Sequence, residues 1–400
     1  MRILLLSQWF DPEPAFKGLV FAKALVRAGA QDVEVVTGFP NYPGGELYAN
    51  YRIKWLQKEI LDGIRVNRVP LYPSHDSSAF GRFLNYASFA ISSGLYGWLG
   101  TRKVDIIYAY HPPMTTALSG AFISMMRRVP LVLDLNDLWP DSLRASGMVR
   151  NKLVLALAGK ICLWTYRRAS RIVVGTPGLR DCLVERGVPA ERVEIIYNWC
   201  DEQALQLPDV VDASEFGMEE RFNVVFAGTM GKGQALDTVI RAAKRVEAMD
   251  KHIQFVFVGG GMEVENLKSL AQELEVGNVL FLPRMPIHEV GRVLAAAEVL
   301  LVHLKDDPLY ETTIPSKTQA YMSIGKPILM AVKGDAAQLI ATAGAGHHAL
   351  PENEVSLAEA VLTMRRLPSA TLLAMGRRGA EFYSQNLSLT LGAEKFLAIF

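Results

Sequence analysis

The sequence predicts an α/β chain of two doubly wound domains, each a mostly parallel sheet with helices on both faces. Three observations predict it. Short β-rich runs alternate with helical segments over the first 199 residues, and the same alternation restarts at residue 222. Between them, residues 200–220 are acidic and lack a long apolar run, as a linker would. Alternation of this kind favours parallel strands, because each crossover helix returns the chain to the same end of the sheet.

In the first half, the runs 2–7, 33–38, 64–71, 105–110, 131–136, 171–176 and 193–198 read as strands, with helical segments such as 20–29 between them. In the second half, 222–228, 253–261, 279–283, 298–304, 327–332 and 347–351 read as strands, with a helix over 236–249. Two such domains in tandem imply a central cleft between the carboxyl ends of their strands, where sheets of this class hold ligands. The opening run RILLLS is too short for a signal peptide and reads as a first buried strand. With 42 basic against 41 acidic residues, the chain lacks the basic excess of a nucleic-acid binder. Cys162, Cys182 and Cys200 form no metal or disulfide pattern, which fits a reducing cytosol.

The densest chemical signal is TIPSKTQAYMSIGKP at 313–327. Pro315 suits a first helical turn, Ser316 can cap it, and Gly325 followed by Pro327 stops the helix. That places Lys317 beside outward-pointing backbone N–H groups, where a cation is unfavourable for the helix dipole but useful for gripping a phosphate. A solvated surface lysine is the competing reading. Gly228-Thr-Met-Gly-Lys-Gly-Gln ends the first strand of the second half, and Val-Gly-Gly-Gly ends the next at 258–261. Gly228, Thr229, Gly231, Lys232, Gln234 and Gly260 therefore read as a diphosphate cradle, or as ordinary strand-to-helix turns. His111-Pro-Pro follows the strand 105–110, as a general base, a sugar-hydroxyl contact or a loop residue. Asp134, Asp137 and Asp141 with Trp139 suit a carbohydrate better than a metal, with helix capping by Asp137 as the structural alternative.

Taken together, the stretches 37–45, 69–90, 134–143, 226–243 and 313–328 resemble bacterial glycosyltransferases of family 4, which have the GT-B fold. Within that family the chain is most similar to the WbuB-like N-acetyl-L-fucosamine transferases and related O-antigen and capsule enzymes. The resemblance implies an acceptor domain over 1–199, a nucleotide-sugar domain over 221–383 and a last helix, 384–400, crossing back to the first domain. It also implies a UDP-sugar donor, no metal or other cofactor, and retention of anomeric configuration. Where family members carry an arginine and a lysine for the donor diphosphate, Thr229 and Gln234 stand, which leaves Lys232, Arg284 and Lys317 as replacements. Where the ribose-binding glutamate of a pair is expected, Ala320 stands, with Glu311 one residue out of register for the first. Ile314, Pro315, Ser316 and Gln319 complete the donor set, with Gly18 from the first-domain loop. Catalysis would fall to His111, Lys317 and Asp137, and acceptor binding to Asn41, Tyr42, His75, Asp134 and Trp139.

The resemblance further implies an undecaprenyl-diphosphate-linked saccharide acceptor and a protein that is cytoplasmic and peripheral at the inner membrane face. Residues 80–99 and 148–168 mix aromatic and aliphatic side chains with arginine and lysine, so each either packs on a sheet or lies on an anionic membrane. Two alternatives remain, a UDP-sugar 2-epimerase of the same fold and a non-catalytic nucleotide-sugar-binding protein.

Overall fold

The apolar strand runs and their crossover helices assemble into two compact units in a computed structural model, which describes residues 1–74, 79–142, 151–205, 211–218 and 221–400. The first unit comprises Met1–Ile196 with Thr390–Phe400, and the second Tyr197–Leu389. Residues 197–205 and 211–218 therefore fold with the second unit, where Ala213–Phe216 forms one turn of 3₁₀ helix.

Among the described residues the first unit carries an eight-stranded sheet in the order β3-β4-β2-β1-β5-β6-β7-β8. The strands are β1 Arg2–Leu6, β2 Asp32–Gly38, β3 Gln57–Leu61, β4 Ile64–Val69, β5 Ile106–His111, β6 Leu131–Leu135, β7 Arg171–Val174 and β8 Val193–Ile195. All neighbours are parallel except β3 and β4, which form an antiparallel hairpin. Its two-residue turn is Asp62-Gly63, both at positive φ (47° and 86°). That geometry matches the right-handed strand twist, and alternation alone misses β3. The central strands are buried on both faces, hence their unbroken aliphatic composition.

The second unit has a six-stranded parallel sheet in the order β11-β10-β9-β12-β13-β14. Its strands are β9 Phe222–Thr229, β10 Ile253–Gly260, β11 Val279–Leu282, β12 Val299–His303, β13 Ile328–Ala331 and β14 Gly346–His348. β9 and β12 lie side by side at the centre, and the chain reverses its winding direction there. That is the switch point where doubly wound sheets bind ligands. Residues 80–99 lie in the helix Ala79–Leu99, which packs on the helix Met114–Arg127 yet leaves Phe80, Phe83, Ile91 and Leu99 well exposed. Within 148–168, Met148–Arg150 lie outside the described residues, and the helix Lys152–Arg168 exposes Leu153, Val154, Leu157 and Trp164. No helix among the described residues is long and apolar enough to cross a membrane.

Candidate functional site

In the second unit, the register of β9 against β10 sets Gly228 opposite Gly259 and Thr229 opposite Gly260. Gly228, Gly259 and Gly261 all take positive φ. A Cβ on Gly259 would collide with the Gly228 carbonyl oxygen, so these two strand ends approach this closely only because residue 259 is glycine. Beyond β9, Gln234 Oε1 accepts from the Gly231 N–H at 3.0 Å, and Lys305 N donates to Gly233 O at 3.0 Å. Gln234 thus shapes its own turn rather than extending outward. His303, fully buried at the end of β12, adds a bond between Nδ1 and the Gln234 carbonyl at 2.7 Å.

The helix Ser316–Ile324 brings Lys317 to this turn. Pro315 is the N-cap, in extended conformation, and Ser316 is the first helical residue and makes no capping bond. Proline's fixed φ is compatible with either position, and here its carbonyl accepts from Thr318 N at 2.8 Å. Lys317 does not extend into solvent. Its ammonium lies 3.4 Å from the centroid of the Phe226 ring and 3.3 Å from where a Cβ on Gly228 would stand. The Nζ is buried and has no hydrogen-bond partner among the described residues. Burial pushes its pKa down to about 7. A desolvated cation over an aromatic face, with no anion beside it among the described residues, is arranged to receive negative charge.

Gln319, a ribose-contact candidate, is instead buried and folded back, its amide nitrogen donating to the carbonyls of Pro315 at 2.8 Å and Ser316 at 3.2 Å. Both carbonyls belong to the start of the same helix, so the amide is used locally. Lys232, Arg284 and Glu311 are exposed, and Arg284 Cβ lies 4.0 Å from the Cβ position of Gly260. Ile314 is half-buried in the segment just before the helix. Gly228, Thr229, Gly231, Gly260, Arg284 and Lys317 are thus gathered at the carboxyl ends of β9 and β10. Sequence reasoning missed Phe226 and Tyr321, whose hydroxyl accepts from Ala227 N at 2.9 Å and holds β9 to the helix. Nothing in their spacing marks them: Phe226 belongs to a strand run that reads as ordinary core, and Tyr321 is an apolar position of the helix that was read for Lys317.

In the first unit, His111 ends β5, fully buried, with both ring nitrogens lacking a hydrogen-bond partner among the described residues. Burial lowers its pKa to about 3, so the imidazole is neutral across the physiological range. Trp139 meets it edge-on, with centroids 6.0 Å apart. Asp137 is exposed, and Asp141 pairs with Arg186. Asp134 is not available to a sugar. It is buried, accepts from Tyr108 Oη at 2.5 Å and pairs with Lys17 Nζ at 3.3 Å. No group of three or more potential metal ligands converges among the described residues.

Asn41 is likewise turned inward. Its Nδ2 donates to Phe39 O at 2.9 Å, and its Oδ1 accepts from Asn85 at 3.3 Å. The backbone N–H groups of Asn41 and Tyr42 both donate to the buried Glu13 carboxylate, at 2.7 and 2.8 Å. Tyr42 packs on Trp9, with ring centroids 4.8 Å apart. Glu13, unmarked in the sequence, therefore fastens the loop after β2 to the loop after β1. Burial raises its pKa to about 7 despite these bonds. Gly18 has a structural use, because the direction its Cβ would take is filled by the Asp11 carboxylate, which accepts from Leu19 N at 2.6 Å. His75 lies outside the described residues.

The chain matches the Glycosyl transferase 4-like domain over residues 19–199 and the Glycosyl transferases group 1 family over residues 212–381. It is 24% identical over 305 residues to WbjE of Pseudomonas aeruginosa, named a probable glycosyltransferase, covering 74% of each chain. It is 25% identical over 339 residues to WcaI of Escherichia coli (strain K12), provisionally named a colanic acid biosynthesis glycosyl transferase, covering 81% of this chain and 82% of that one. Among solved structures, HepE of Anabaena in complex with UDP-glucose superposes with a TM-score of 0.70 at 17% identity, covering 100% of this chain and 98% of HepE. WaaG, a glycosyltransferase involved in lipopolysaccharide biosynthesis, superposes with a TM-score of 0.65 at 16% identity, over 100% of this chain and 99% of WaaG. With a Glycosyl transferase 4-like domain in the first unit and a group 1 domain in the second, matched in order, the chain is a glycosyltransferase built on the GT-B fold.

Proposed function

We propose that this enzyme moves a sugar from a UDP-sugar to a lipid-linked saccharide in surface polysaccharide biosynthesis, with retention of configuration and without a metal ion. The observation that carries this reading is the unpartnered Lys317 ammonium at the Gly228 turn. Breaking a glycosyl–diphosphate bond loads negative charge onto the leaving group, and a fixed cation with backbone N–H groups neutralises it where it develops. The family assignment, the UDP-sugar complex of HepE and the polysaccharide roles in the names of WcaI and WaaG support the donor and the pathway class. His111 would use a neutral imidazole to hold a sugar hydroxyl. The finer proposal is an N-acetylated amino sugar of the N-acetyl-L-fucosamine kind, an undecaprenyl-diphosphate acceptor and a position at the inner membrane face. The exposed apolar residues of the helices Ala79–Leu99 and Lys152–Arg168 support the last point.

The test pairs a panel of UDP-sugars with lipid-linked acceptors, using wild type and Lys317→Ala. Transfer by wild type is expected, with kcat falling about 100-fold or more in the variant while uridine affinity changes little. Unchanged turnover in Lys317→Ala would remove the lysine from catalysis. Epimerisation of the donor without any acceptor, or binding without turnover, would replace the transferase reading.

A further inference from the structure

An apolar groove on the first unit lies between the helix Ala79–Leu99 and the segment leading into β3. Its volume is about 620 Å³, and Trp55, Leu71, Ile91, Leu95, Tyr96 and Leu99 form most of its wall. Apart from the indole N–H of Trp55 at the mouth, the polar side chains in that wall are already engaged. Ser92 Oγ donates to Pro70 O at 2.6 Å, Ser88 Oγ accepts from Tyr72 N at 2.8 Å, and Tyr96 Oη donates to Asn67 Oδ1 at 2.9 Å. A ligand bearing amides or hydroxyls would lose its water contacts inside the mouth and gain no side-chain partner there. A hydrocarbon would lose nothing.

The charges around the groove point the same way. The segment 51–57 carries Arg52 and Lys54 and no carboxylate, and 79–104 carries Arg82, Arg102 and Lys103 and no carboxylate. Arg52, Lys54, Arg102 and Lys103 are exposed. Trp55 at the mouth is 93% exposed, with Leu99 at 70% and Ile91 at 66%. Large apolar side chains left in water, flanked in sequence by exposed cations while the nearby Glu34 carboxylate is buried and bonded to Arg102 N at 3.1 Å, match a ligand with a long apolar tail and an anionic head.

We infer that this groove holds the hydrocarbon tail of the membrane-anchored acceptor, with the rim cations facing its diphosphate. The inference rests on the lipid-linked acceptor reading above and adds a tail site to it. A chain drawn into the groove gains roughly fourfold in affinity per buried methylene at ordinary transfer energies. The enzyme then selects acceptors by tail as well as by saccharide.

The experiment uses the full chain and two readouts. The first is quenching of Trp55 fluorescence, taken as the difference from Trp55→Phe, by C10 and C20 prenyl diphosphates without saccharide. The second is KM for one saccharide diphosphate carried on C10, C20 and C55 tails. Wild type should bind the C20 probe and show KM falling about tenfold or more from C10 to C20. Leu95→Trp, which fills the groove, and Ile91→Glu should both flatten that dependence, with UDP affinity and kcat on the C10 acceptor unchanged. If the variants keep the wild-type tail dependence, the tail binds elsewhere and the groove site falls while the lipid-linked reading stands. Quenching by phosphatidylglycerol vesicles equal to that by prenyl diphosphate would assign the groove to bilayer lipid and overturn the proposal. Use of soluble saccharides alone, with no prenyl quenching, would overturn both readings.

Discussion

Lys317 concentrates the chemistry of the second unit into one nitrogen. Its pKa, lowered to about 7, is a product of burial, and no anion among the described residues offsets it. The unfolded lysine holds its proton up to about pH 10.4, so between pH 7 and 10 the unfolded chain binds more protons than the folded one. Stability of the ligand-free protein should therefore rise with pH through that window, and the cost of the buried cation is full below pH 7. Replacing the ammonium by an uncharged chain of similar length, Lys317→Met, should reduce that slope and stabilise the free protein at pH 6.5, by at most about 4–5 kcal/mol. Denaturant titrations at pH 6.5 and 9 measure it, and parallel curves for wild type and variant would refute it. A diphosphate bound beside Lys317 should restore the proton. Calorimetry of UDP binding at pH 8 in buffers of different ionisation enthalpy should show uptake of about one proton, absent in Lys317→Met. In the sequence this residue was legible as a first-turn lysine before a glycine stop. Its inward direction was not, because it depends on Phe226, which β9 supplies from nearly a hundred residues away.

At the scale of elements, most strands were legible from alternation, and the exceptions have local causes. β3 is an edge strand whose residues alternate between half-buried and exposed, so it has no apolar run to announce it. The Asp62-Gly63 pair was its signal. The loop between β1 and the helix Leu19–Arg27 is a second case. Gly18 read as a ligand-facing glycine, yet Asp11 reaches across from seven residues upstream and caps the helix. Nothing short-range could reveal this, since a capping carboxylate normally occupies the N-cap position itself. Asp11→Ala should cost about 1 kcal/mol. Gly18→Ala should cost at least as much, because its Cβ takes the carboxylate's place. The double variant should then lose little more than Gly18→Ala alone, as both remove one interaction. Additive losses in urea denaturation would show that Gly18 and Asp11 act independently.

For the molecule as a whole, the chain path matters as much as either sheet. The first unit is discontinuous, because Thr390–Phe400 belongs to it although the preceding 193 residues, Tyr197–Leu389, build the second. The returning segment fills a position in the first unit's interior. Phe396 is fully buried, its ring 5.2 Å from Phe21 and 5.5 Å from Tyr108, and Lys17 Nζ lies 4.6 Å from its centroid. Lys17 is itself paired with Asp134, so the last helix seals a buried ion pair as well as an apolar surface. Removing residues 390–400 would open both to water. Loss of Phe396 burial alone should cost about 3–5 kcal/mol, and hydration of the exposed pair recovers only part of that. The second unit keeps its sheet, its glycine turn and Lys317 in the truncated chain. Calorimetry of the truncated protein should therefore show a transition several degrees lower, and UDP should still bind with near-wild-type affinity and raise the midpoint of the second unit alone. A single unshifted transition would show that the terminal helix contributes nothing to the first unit. Loss of UDP binding would show that donor recognition depends on the first unit being intact, and would move part of the donor site out of the second.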